Sequence, residues 1–207
     1  MPRVALITGA NGFVGRILAK YLRDREWQVR EAVLPGQPEG PNKFACDITR
    51  IAQVRKLVSR TDGLSHVFHL AAITFVPSSS ADPANTFEVN VQGTINLLEC
   101  TRVIHPRARF LFVGSAAVYG HPLSIPVIED HPLAPREPYA ISKAAADQYC
   151  EYIFRANKAN VVRMRPFNHS GAGQSDQFVL SNFARQIARI ERGDLPPTLK
   201  VGNIDAA

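Results

Sequence analysis

The chain has 207 residues, 45% of them hydrophobic, with 24 Lys and Arg against 18 Asp and Glu, a net charge of +6. That is enough apolar material for one α/β domain with a substantial core. The basic residues are scattered without interleaved aromatics, so the charge points to an anionic small molecule and not to nucleic acid. Cys46, Cys100 and Cys150 are odd in number and lack a C-x-x-C pair, which suggests neither a disulfide framework nor a metal site and fits a reducing cytoplasm. No apolar run reaches the length of a membrane span, and Met1-Pro2-Arg3 leads straight into strand-like residues without room for a signal peptide.

In chain order, Val4 to Thr8 is a continuous apolar run rich in β-formers, followed at once by Gly9-Ala10-Asn11-Gly12-Phe13-Val14-Gly15. A G-x-x-G-x-x-G turn between a buried strand and a helix lets the backbone approach a pyrophosphate. The free N–H groups and positive dipole end of the helix then hold its charge. The helix itself is expected from the stripe Phe13, Val14, Ile17, Leu18, Tyr21, Leu22. A second strand is expected over 28–34, and it ends in Val33-Leu34 where an acid would take the ribose 2′-hydroxyl; the missing acid weakens specificity for NAD, and since no Arg for a 2′-phosphate stands there either, NADP is only mildly preferred. After a Pro- and Gly-rich loop, Phe44-Ala45-Cys46 is a short third strand leading to Asp47-Ile48. Asp47 either accepts from an adenine amino group or caps a helix over 49–59.

His66 to Ala72 reads as the fourth strand, with Leu70-Ala71-Ala72 small enough at its end for a cofactor to lie close. His69 is a packed strand-end residue before it is a ligand, since no second metal-binding side chain stands at a useful spacing. A loop over 74–80 and a helix over 82–103 follow, and Asn90 in that helix is either an interior hydrogen-bonding anchor or a surface residue. The fifth strand, 109–113, delivers Ser115 to the carboxyl edge of the sheet, where open α/β folds place their ligands. A long irregular loop covers 120–138. The helix over 137–157 then carries Tyr139 and Lys143, four apart and therefore one turn apart on one face, about 6 Å along the axis. Such a pair is either a solvated face or a proton-transfer site in which the ammonium lowers the phenol's pKa. A sixth strand over 160–164, a polar, glycine-bearing loop over 165–174, a helix over 177–192 burying Phe178, Phe183, Ile187 and Ile190, and a strand starting at 199–201 complete the reading. Strands alternating with helices after a glycine turn predict a doubly wound, Rossmann-type parallel sheet.

The turn at Gly9, the Asp47-Ile48 pair, His69-Leu70-Ala71-Ala72, the N-V-x-G-T-x-N-L-L helix from Asn90, the S-x-x-V-Y-G at Ser115 and the Y-x-x-x-K together resemble the extended short-chain dehydrogenase/reductase (NAD-dependent epimerase/dehydratase) family, which acts on nucleotide-activated sugars. The resemblance implies NADP or NAD as cofactor. Its contacts would be Gly9, Asn11, Gly12, Phe13, Val14, Gly15, Asp47, Ile48, Leu70, Ala71, Ala72, Asn90, Tyr139 and Lys143. It implies Tyr139 as general acid/base, Lys143 as the group that binds the nicotinamide ribose and lowers the tyrosine pKa, and Ser115 as the hydroxyl orienting the substrate carbonyl. It also implies a cytoplasmic homodimer. Family dehydratases carry an acidic residue where Ala116 and Ala117 stand, and alanine cannot move a proton, so dehydration is disfavoured.

The stretches 74–83 and 165–188 are similar to those of members that reduce the C4 ketone of a GDP-4-keto-6-deoxyhexose. The resemblance would place Phe75, Ser115, Asn168 and Arg185 at the substrate, though Phe75 and Arg185 serve equally as packing and surface residues. A 4-epimerase and a redox-dead dinucleotide-binding module are the alternatives. The expected organisation is a dinucleotide-binding domain over 1–170 and, over 171–207, the start of a sugar-nucleotide domain that family members continue for roughly another hundred residues, in line with ordinary domain sizes; the chain is expected to be truncated.

Overall fold

The computed structural model describes residues 3–202, which divide into two compact units, one up to Phe167 and one from Asn168. In the first unit six strands form one parallel sheet: β1 (Val4–Thr8), β2 (Gln28–Val33), β3 (Lys43–Ala45), β4 (Leu64–His69), β5 (Arg109–Val113) and β6 (Val161–Met164), in the order β3-β2-β1-β4-β5-β6. The chain winds outward from β1 to β3, then returns to the other side of β1 and winds outward again. That reversal between β1 and β4 opens a crevice at the carboxyl ends of the strands.

β1 is buried on both faces, and its alternation assigns the layers. Leu6 joins Val67, Phe110 and Phe112 against helices α2 (Ile51–Ser59), α5 (Gly93–Ile104) and α6 (Pro138–Asn157), which supply Val54, Val58, Leu97, Leu98, Cys150 and Ile153. Ala5 and Ile7 face the other way, onto Ala19 and Leu22 of α1 (Phe13–Arg23). α1 does not bury the whole stripe expected of it. Val14, Ile17 and Tyr21 are exposed, whereas Gly15, Ala19 and Leu22 are buried. The reason is close approach: a Cβ on Gly15 would sit 2.3 Å from the Gly9 carbonyl oxygen, so the face with the smallest residues is the one that meets the strand.

Several boundaries differ from expectation. β4 starts two residues earlier and ends at His69, leaving Leu70 to Ala72 extended beyond the sheet. The region 74–80 is not wholly a loop, because a short helix, α3 (Val76–Ala81), starts after Phe75 with Pro77 in its first turn. The helix expected over 82–103 is α4 (Pro83–Phe87), capped by the Asp82 carboxylate on Asn85 N–H, then a π-helical turn over Glu88–Gln92, then α5. In the second unit no residue of α7 (Val179–Glu191) is fully buried: of the stripe expected there, Phe178, Phe183 and Ile190 are half-buried and Ile187 is exposed. Residues 199–201 form no strand; the Lys200 amide and carbonyl bond the Gln186 side chain at 2.8 and 2.9 Å instead. Cys46, Cys100 and Cys150 are free and buried, and burial raises all three thiols, Cys46 to about 11 and Cys150 to about 12, which keeps them unreactive. No described helix is long and apolar enough to cross a membrane, and no group of His, Cys, Asp or Glu among the described residues could hold a metal.

Candidate active site

Gly9 lies at the carboxyl end of β1 with φ +68°, and a Cβ there would stand 2.8 Å from the Ala71 nitrogen. Only glycine allows the turn to press against the segment leaving β4. The Gly12 N–H donates to the Gly9 carbonyl at 3.0 Å, and α1 then begins without a side-chain cap and without an acidic residue in its first turn. An eleven-residue helix that opens on this turn with no carboxylate in its first turn suits an anion, which is what a cofactor diphosphate requires. Across the crevice, Leu70 N–H bonds the Thr8 carbonyl and Ala71 N–H the Thr8 hydroxyl, both at 3.3 Å, holding the 70–72 segment alongside. Asp47 is not a helix cap. It lies three residues ahead of the Arg50 N-cap, and its Oδ1 accepts from the Thr49 N–H at 2.9 Å and hydroxyl at 2.7 Å. Ile48 is buried in the core against Gly93, and its carbonyl accepts from Asn96 at 2.9 Å.

Ser115 follows β5, fixed on either side by Gly114 N–H to the Met164 carbonyl (2.7 Å) and Ala116 N–H to the Pro166 carbonyl (2.9 Å). Its Oγ accepts from Ala117 N–H at 3.1 Å and caps a single 3₁₀ turn, Ala116–Tyr119. Tyr139 and Lys143 occupy the first two turns of α6, whose N-cap Glu137 accepts from the N–H groups of Tyr139 and Ala140 at 3.1 Å each. The Ser115 hydroxyl is near enough to the Tyr139 phenol to act against the rise of its pKa, so strand end and helix converge. Lys143 is buried; its ammonium donates to the Val113 carbonyl at 2.8 Å and lies 5.2 Å from the Phe112 ring centroid. The pair is not a solvated face.

One electrostatic expectation is corrected. Lys143 does not draw the Tyr139 pKa down: burial pushes the phenol up, Ser115 opposes that, and the Glu137 carboxylate adds to the rise. Burial in turn lowers Lys143 to about 8. Desolvation wins because burial is the largest influence on both groups, and the ammonium bonds a backbone carbonyl of the β5 strand.

Asn90, 1% exposed, is an interior anchor and not a surface residue. Its Oδ1 accepts from Ile73 N–H at 2.8 Å, and its Nδ2 donates to the Ile73 carbonyl at 3.0 Å and to Ser142 Oγ at 2.9 Å. Ser142 donates onward to the Tyr139 carbonyl at 2.7 Å. Asn90 therefore ties the segment after β4 to the turn that presents the phenol, and the π-helical turn around it re-aims its side chain. Ser142 escaped the sequence reading, although it stands beside Lys143.

His69 is a packed residue. Its Nδ1 lies 2.7 Å from the Thr8 hydroxyl and its Nε2 2.9 Å from that of Thr94; since the Thr94 proton goes to the Asn90 carbonyl, Nε2 carries the imidazole hydrogen. Burial, with Lys143 adding, lowers its pKa to about 3. The unfolded chain therefore takes up a proton near pH 6.5 that the folded chain refuses. This contribution to stability is present above pH 6.5 and declines as pH falls toward 3, by several kcal/mol. Urea titrations at pH 7 and 5 should show a smaller loss of stability on acidification for His69→Gln than for the parent, and equal losses would refute the role.

Phe75 stands at the start of α3, half-buried. Asn168 and Arg185 belong to the second unit, where Asn168 is exposed and the Arg185 guanidinium is paired with Asp176.

A reversed parallel sheet, a glycine turn at its crevice and a Ser-Tyr-Lys set on the neighbouring strand end and helix define a Rossmann-type domain of short-chain dehydrogenase/reductase kind. Residues 5–207 match the NAD dependent epimerase/dehydratase family, and the chain belongs to it. It is 36% identical, over its whole length, to a GDP-6-deoxy-D-mannose reductase of Pseudomonas aeruginosa, and 31% identical over 84% of its length to a UDP-glucose 4-epimerase of Streptomyces lividans. Among solved structures, the Pseudomonas aeruginosa protein RMD complexed with NADPH superimposes with a TM-score of 0.83 at 34% identity over 99% of the chain. A Thermus thermophilus UDP-glucose 4-epimerase complex with NAD gives 0.81 at 29% over 92%. The chain spans 66% of the length of that reductase and 54% of the Streptomyces epimerase.

Proposed function

We propose that this chain carries the nicotinamide half-site of a reductase that converts the C4 ketone of a GDP-4-keto-6-deoxyhexose to the alcohol. The observation that carries the reading is the convergence of Ser115 at the end of β5 with Tyr139 and buried Lys143 of α6, the lysine bonded to the Val113 carbonyl, with Ala116 and Ala117 following Ser115 and offering no further acid or base. Gly9, Asn11, Gly12, Phe13, Val14 and Gly15 would hold the diphosphate, Asp47 and Ile48 the adenine, Leu70 to Ala72 the flank, and Tyr139 and Lys143 the nicotinamide ribose. The bound NAD(P)H supplies the hydride. Ser115 and Tyr139 donate hydrogen bonds to the ketone oxygen, and Tyr139 gives its proton to the alkoxide. A phenol whose pKa is raised holds that proton at neutral pH, which suits reduction. Lys143 has two donors beyond the one bonded to Val113. Exposed Val103, Tyr152 and Phe154 on α5 and α6 support a homodimer as the assembly.

The test is addition of GDP-4-keto-6-deoxymannose to chain and NADPH or NADH, with stoichiometric loss of the reduced-nicotinamide absorbance expected. Turnover of a sugar nucleotide without net loss of that absorbance would favour an epimerase instead. Because Lys143 is lowered to about 8, the rate should be level through neutral pH and fall above about 8 as the ammonium is lost.

A further inference from the structure

We infer that Lys43 selects the cofactor, favouring the 2′-phosphate of NADP(H) over the bare ribose of NAD(H). The inference rests on the cofactor reading above and adds a residue that the sequence patterns did not reveal. Ser115, Tyr139 and Lys143 come from β5 and α6, so the β4-β5-β6 half of the sheet takes the nicotinamide, and the β1-β2-β3 half is left for the adenosine. On that side β2 ends in Val33-Leu34-Pro35, with no carboxylate to accept from a ribose 2′-hydroxyl.

A cation reaches the same place from the neighbouring strand. Lys43 opens β3 opposite Glu31 of β2, and its ammonium extends to 3.2 Å from Oδ1 of Asn11, in the glycine turn itself. Asn11 in turn donates to Gln37 Oε1 at 2.6 Å, so the turn, the β2–β3 loop and Lys43 meet at one rim. The charge there does not cancel. Glu31, buried, is shared between Arg23 and Lys43, the latter at 3.3 Å: two cations on one carboxylate leave a net positive charge. Arg23 lies at the far end of α1 from the turn, while Lys43, about one-third exposed, is the member that faces it. An ammonium already bonded to Asn11 is fixed in place, and a dianionic phosphate beside it gains a charge-assisted bond that a neutral hydroxyl does not match.

The experiment is calorimetric binding of NADPH, NADH, adenosine 2′,5′-bisphosphate and adenosine 5′-monophosphate to the chain and to Lys43→Gln and Lys43→Arg. Expected are NADPH tighter than NADH by about tenfold or more, with the bisphosphate likewise tighter than the monophosphate. The preference should be lost in Lys43→Gln through weaker NADPH binding with NADH changed less than about twofold, and largely kept in Lys43→Arg. Equal affinity of the parent for NADPH and NADH, or equal weakening of both by Lys43→Gln, overturns the selector role while leaving the cofactor site intact. Failure of every nucleotide to bind overturns the cofactor reading and this inference with it.

Discussion

Replacement of Tyr139 by phenylalanine should lower kcat for ketone reduction by about a thousandfold while cofactor affinity changes little. The phenol and the Ser115 hydroxyl meet at the carboxyl edge of β5, and of the two the phenol alone combines a transferable proton with a raised pKa. Ser115 can orient and polarise but is spent in part on Ala117 N–H. Removing one oxygen from Tyr139 leaves α6 untouched, because the helix is anchored through backbone and neighbours: Glu137 caps it, and Ser142, bonded by Asn90, holds the Tyr139 carbonyl. The loss should therefore fall on kcat. A parallel Ser115→Ala change should cost about ten- to a hundredfold, having removed a polarising donor but not the proton source. Single-turnover consumption of reduced cofactor, with affinity measured separately by fluorescence, decides it. A Tyr139→Phe chain that still turns over at near the parental rate would remove the tyrosine from the chemistry.

The parts of this site that were legible beforehand are those where local chemistry admits one reading. An apolar run followed by Gly9-Ala10-Asn11-Gly12 has few uses other than a tight turn into a helix, and Tyr139 and Lys143 share a face whichever way α6 packs. What escaped depends on the third dimension. The exposed Ile17 and Tyr21 follow the rule that a helix turns its smallest residues inward when backbone must approach backbone, which hydropathy alone does not weigh. The direction of the Tyr139 shift reverses because burial is a property of the assembled fold, not of Y-x-x-x-K spacing. Lys43 was invisible as a cofactor residue because its partner Asn11 is 32 residues away in sequence and reached across two strands. Asn90 was recognisable as an anchor or a surface residue, and only the Ile73 and Ser142 bonds decide between them.

Asp147 illustrates the same limit and carries the largest expected effect on stability. It lies one turn beyond Lys143 on α6, is fully buried, and meets two arginines from the end of β6: Arg163 at 2.5 Å, and Arg165 through Nε and Nη2 at 3.0 and 2.8 Å. Arg165 continues to the Tyr119 hydroxyl at 3.0 Å and the Glu129 carbonyl at 2.9 Å, which ties the 3₁₀ turn after Ser115 and the long loop to the helix of Tyr139. Its guanidinium pKa is raised, first by its bond to Asp147. Asp147→Asn keeps the shape but removes the charge on which two guanidinium groups converge, leaving Arg163 with Glu151 and the largely buried Arg165 without a carboxylate, and should cost about 3–5 kcal/mol, or on the order of 10 °C in Tm. Lys20→Ala provides the contrast. It removes the exposed pair with Asp24 and should change stability by less than about 1 kcal/mol, because water and salt screen that pair. Chemical denaturation of both variants separates the two cases. If Asp147→Asn costs no more than Lys20→Ala, the carboxylate is not what joins β6, the Ser115 turn and α6, and the rigidity attributed to the site must come from elsewhere.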